Sequence, residues 1–168
     1  MGYNKADTLS SAIETLKRGT SHCYEACFLI AAVLEKSGYP PLVMSLESKD
    51  GLDHVIYVFQ RKDKWGAIAQ SRDEGLFGRA PVYKNWEELA LSYYDPYIDK
   101  TGMLTSYQVA HLDETQSPWR HSKKNVWKAE KYLLEIRHHR LKVPKTRYQR
   151  IFKYVQTKGL IPPQKNWW

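Results

Sequence analysis

The run SHCYEAC (residues 21–27) places two thiols and an imidazole at the head of an apolar stretch, and a second imidazole, His54, opens the apolar run HVIYVF. If Cys23 lies in the first turn of a helix, the unpaired N–H groups and the helix dipole favour its thiolate. The same N–H groups can receive the oxyanion of a tetrahedral acyl intermediate. A thiol nucleophile needs a base in hydrogen-bond reach, and His54, on a strand entering the core, is the candidate. Plainer readings stand beside this one. A buried cysteine is most often a small apolar residue, which suits Cys27. His22, Cys23, Cys27 and His54 are also metal-ligand types, and Cys23 and Cys27 share a helix face. Yet His22 falls about 100° around the helix from Cys23, and no second CxxC or HxxxH accompanies them, so no metal is expected. A Cys23–Cys27 disulfide would distort the helix.

The elements that must position these groups follow from pattern. Residues 7–18 predict a first helix capped by Asp7 and stopped by Gly19, and Ser21 predicts the cap of a second helix running to Ser37. The interior ACFLIAAVL is apolar all round, so that helix belongs inside the protein. Strands are predicted at 41–47, 51–61 and 64–71, the last two joined by a Lys62–Asp63 turn, with a loop or short strand at 75–83. A helix is predicted over 85–99 with Asn85 as its cap, then a strand over 103–113. Helices at 122–141 and 146–158 follow, then an extended tail, IPPQKNWW. Helices first, then a mostly antiparallel sheet, then helices again is an α+β order.

The 168 residues, 42% hydrophobic and 26% charged, suit a soluble globular protein with a real core. No apolar run reaches membrane-spanning length. The start, MGYNKADTLSS, lacks the basic and apolar regions of an export signal, so both thiols are expected reduced in the cytoplasm. The net charge of +8 is lopsided: residues 119–168 carry 14 Lys and Arg against Glu130 and Glu135 alone, while residues 1–118 carry 12 against 16 acids. This divides the chain into a core, 1–118, and a basic helical extension, 119–168, packed on it. Spaced cations interleaved with Tyr, Trp and His suit an acidic partner, nucleic acid or an acidic protein. A solvated outer face accounts for the same pattern.

The segments SHCYEACFLIAAVLEKSGYPPLVMSL, DHVIYVF and KWGAIAQS follow one another as a cysteine-headed helix, a histidine strand and a tryptophan strand. In order and spacing they resemble the transglutaminase-like branch of the papain-like cysteine enzymes. With GRAPVY and LALSYYDPY added, the likeness extends to an uncharacterised bacterial group of that architecture. The resemblance implies acyl transfer on a peptide or protein amide by Cys23 and His54, as peptidase, deamidase or transglutaminase, without a cofactor. It also implies an Asp near the end of the Trp65 strand, and WGAIAQS has none. With Lys62–Asp63 as the turn, the ladder brings His54 opposite Ser71, which makes Ser71 the candidate to orient the ring. Gln70 is predicted to face away, and Asp53 lies on the opposite strand face. A scaffold without catalysis, binding through its basic flank, is the other expectation.

Overall fold

The computed structural model describes residues 1–99 and 101–159. Its central sheet has six strands: β3 (Leu42–Ser48), β4 (His54–Arg61), β5 (Lys64–Ile68), β6 (Arg79–Tyr83), β7 (Leu104–His111) and β8 (His139–Arg140). Their spatial order is β6-β5-β4-β3-β7-β8, and every pairing is antiparallel. The fold is therefore α+β. A separate parallel pair joins β1 (Gly2–Tyr3) to β2 (Thr20–Ser21).

Because side chains alternate along a strand, each face of the sheet has its own core. One gathers Val43, Val55, Tyr57 and Ala110 beneath three helices: α1 (Ala12–Arg18), α2 (Cys23–Leu34) and α4 (Trp127–Glu135). Trp119 is fully buried there, as are Phe28 and Cys27 from α2. The other gathers Met44, Ile56, Val58 and Tyr107 with Leu89, Ala90 and Tyr93 from α3 (Trp86–Leu91) and the turn that follows it. The last helix, α5 (Lys145–Thr157), leans on this second core through Tyr148, Ile151 and Phe152 and buries no residue completely. No helix among the described residues is long and apolar enough to cross a membrane.

Lys62 and Asp63 both have positive φ, 49° and 57°, as a two-residue hairpin turn of matching twist requires. Arg61 pairs with Lys64 and the ladder runs to Tyr57 opposite Ile68. Gly66 is required where β6 crosses: a Cβ there would meet the Phe59 ring and the Arg79 carbonyl at 2.9 Å.

Several boundaries differ from expectation for local reasons. The first helix begins at Ala12, not Asp7, because residues 4–10 are drawn away to bond a buried carboxylate. The helix cap before Cys23 is His22; Ser21 belongs to β2. Asn85 does cap α3, accepting the Glu88 N–H at 2.8 Å, but that helix stops at Leu91. There the Ser92 hydroxyl donates to the Leu89 carbonyl, and Pro96, which has no N–H to give the Ser92 carbonyl, sits in a separate turn over Asp95–Tyr97. The stretch expected as one helix over 122–141 is α4 followed by β8. The tail IPPQKNWW lies outside the described residues.

Candidate functional site

Cys23 is the first residue of α2, half-buried, and it lines a cleft of about 590 Å³. That is within the size range of small-ligand pockets. The cap that starts this helix is unusual in being a histidine. The His22 Nδ1 accepts the Tyr24 N–H at 3.3 Å, while Nε2 lies 2.6 Å from the Thr8 carbonyl. A carbonyl only accepts, so Nε2 carries the hydrogen.

His54 opens β4 and is 5% exposed. It lines the same cleft as Cys23, so the candidate site forms where the end of the sheet meets the head of the buried helix. Its Nε2 lies 2.9 Å from the Leu76 carbonyl and donates to it. The neutral ring then keeps its lone pair on Nδ1, the nitrogen free to take a proton. Burial pushes the Cys23 thiol up, but the neighbouring His22 and His54 imidazoles bring it well below its ordinary value. The dipole of α2 acts in the same direction.

The residue expected to orient His54 is therefore corrected. Ser71 lines the same cleft, but its hydroxyl accepts the Asp73 N–H at 3.0 Å, and the ring bonds Leu76 instead. The register was read rightly; the strand is too short for it. β5 ends at Ile68, so residues 69–71 leave the ladder before reaching the row of His54. The chain then doubles back through Gly75, at φ +83°, with Pro96 only 2.8 Å from where a Cβ would stand. That turn delivers the Leu76 carbonyl. Gln70 bonds the Met1 carbonyl at 3.3 Å. Asp53 does line the cleft; one of its oxygens takes the Ser48 N–H at 2.9 Å, and burial and the neighbouring anions raise its pKa.

One organising residue carried only a weak sequence signal. Glu25, two residues after Cys23, is fully buried. It accepts from Asn4 Nδ2 at 3.0 Å, Thr8 Oγ1 at 2.8 Å, the Ser10 N–H at 2.8 Å and the Arg18 guanidinium, and more loosely from the His22 N–H at 3.3 Å. Burial alone would raise its pKa; these donors hold it at about 2. Glu25 thus fastens the N-terminal strap and α1 to the first turn of α2, which fixes the cap and with it Cys23. The visible hint was an acid at the third helical position.

Cys27, one turn further on, is outside the site. It is fully buried and its Sγ–H donates to the Val55 carbonyl at 3.4 Å, so it shares no ligand set with Cys23. Among the described residues no group of three His, Cys, Asp or Glu is arranged to hold a metal ion. Tyr93 and Tyr94 pack in the second core, whereas Tyr97 lines the cleft. No family model matches this chain, and no curated protein matches it.

Proposed function

We propose that this chain is a thiol-dependent acyl-transfer enzyme acting on amides, built on a variant of the transglutaminase-like arrangement. The observation that carries the reading is a helix-heading cysteine in the wall of a cleft, with an imidazole in the same wall whose Nε2 is committed to the Leu76 carbonyl; the lowered pKa of Cys23 agrees with it. In this scheme the Cys23 thiolate attacks the amide carbonyl carbon. The Cys23 N–H, at the first helical position, lacks an intrahelical acceptor and can donate to the oxyanion. The His54 imidazolium gives its proton to the departing amine as the C–N bond breaks and the thioester forms. Water or a second amine then attacks the thioester, His54 takes the incoming proton, and the thiol is released. A backbone carbonyl orients the ring without a full negative charge, so it stabilises the imidazolium less than a carboxylate would.

The test is the pH dependence of iodoacetamide labelling at Cys23 in wild type and in His54→Ala. A labelling midpoint well below about 8.5 in wild type that moves upward in the variant supports the reading. An ordinary midpoint near 8.5 in both overturns it. The alternative, a non-catalytic module binding an acidic partner, draws on Lys145, Arg150 and Lys153, all exposed on α5. Retention of DNA or RNA at low salt, lost at high salt, is the outcome it requires.

A further inference from the structure

The wall of the cleft is strongly one-sided in charge. Six carboxylates line it, and Arg72 is the one Lys or Arg side chain that does so among the described residues. Arg72 stands 3.8 Å from Asp73, and Asp95 is paired with Arg147 at 2.8 Å. Asp50, Asp53, Glu74 and Asp99 make no ion pair among the described residues. Asp50 and Asp99 are held by hydroxyl and backbone donors, Asp50 by Ser48 and Thr101, and Asp99 by the Thr101 and Gly102 N–H groups. Those donors fix both carboxylates in place. Among the described residues only one oxygen of Asp53 has a protein donor, and Glu74 is exposed.

Acids on a surface would mark nothing by themselves. Here they wall a cavity that contains a thiol, and a concave wall of one sign focuses its field on whatever enters. A neutral or anionic amide entering this cleft would leave that field uncompensated beside a developing oxyanion. A cation would compensate it. Resting on the acyl-transfer reading above, we propose that the substrate is an amide carrying an ammonium or guanidinium group, held against Asp53, with Asp50, Asp99 and Glu74 adding to the field that draws it in. The cation belongs either to the acyl side, as a lysine or arginine side chain near the scissile bond, or to the amine exchanged at the carbonyl.

Three methanethiosulfonate reagents test this without requiring turnover: neutral methyl, cationic 2-aminoethyl and anionic 2-sulfonatoethyl. Rates at Cys23 are compared with those on free cysteine, with Cys23→Ser as the labelling control. The expected result at low salt is a cation-over-anion preference at least about tenfold beyond that of free cysteine. It should shrink at high salt and in Asp53→Asn and Glu74→Gln. Fast neutral labelling with no charge preference overturns this inference and leaves the nucleophile standing; no labelling by any reagent overturns both. Protection of Cys23 from iodoacetamide then places the cation. Shielding by N-acetyl-lysine amide but not by pentylamine assigns it to the acyl side. Equal shielding by pentylamine assigns it to the amine. Shielding by neither beyond that of N-acetyl-norleucine amide overturns the proposal.

Discussion

The first and second turns of α2 each carry a cysteine, four residues apart on one face, and the fold drives the two thiols in opposite directions. Cys23 is half-buried in the wall of a cleft, and the His22 and His54 imidazoles near it bring its pKa well below the ordinary value. Cys27 is sealed in the core against Phe28 and Val55; burial, with a further push from the Cys23 thiolate, raises its pKa well above it. Burial opposes ionisation at both positions. What separates them is one turn of helix: the first turn ends on polar groups supplied by the N-terminal strap and the sheet, whereas the second has only apolar neighbours and one carbonyl.

The sharpest way to break the comparison is Cys23→Ala, which should lower amide turnover by about a thousandfold or more while leaving the melting temperature nearly unchanged. A variant retaining turnover would move the chemistry elsewhere. Next is Glu25→Ala, which strands the Arg18 guanidinium and several buried donors; it should destabilise the fold by about 3–5 kcal/mol in urea titrations. Its companion is a pH effect. The folded pKa of Glu25, about 2, lies below that of an unfolded glutamate, so its stabilisation is complete above the unfolded value and drains away as pH falls toward 2. That contribution is on the order of 3 kcal/mol from the size of the shift. The acid slope should flatten in Glu25→Gln. Gly75→Ala forces a side chain into positive φ against Pro96 and should cost about 1–2 kcal/mol. By loosening the Leu76 carbonyl, it should also raise the Cys23 labelling midpoint. Smallest is Cys27→Ala, about 1 kcal/mol from a lost contact, with the Cys23 labelling profile unmoved. A changed profile there would mean that the two turns are not independent.

Much of this was legible in the sequence because side-chain types and periodicity announce it. The buried helix and the hairpin turn with its register rest on such signals, and Cys23 and His54 line one cleft. Ser71 failed as the orienting group because register says which residues would face each other, not how far a strand continues. Leu76 acts through its carbonyl, which every residue possesses, so no residue type could point to it; the nearby Gly75 was the one local trace. The first helix was drawn too long because the demand of Glu25 for donors comes from 15 or more residues away and outweighs local helix propensity. Asp95 pairs with Arg147 across 52 residues, a partnership that no local pattern announces.

The cleft draws its lining from as early as Tyr3 and as late as Val155. No fragment ending before α5 can enclose the finished cavity, although Cys23, His54 and Leu76 are all in place well upstream. A cut between β8 and α5 that released the last helix would therefore open one side of the cleft while leaving Cys23, His54 and Leu76 in place.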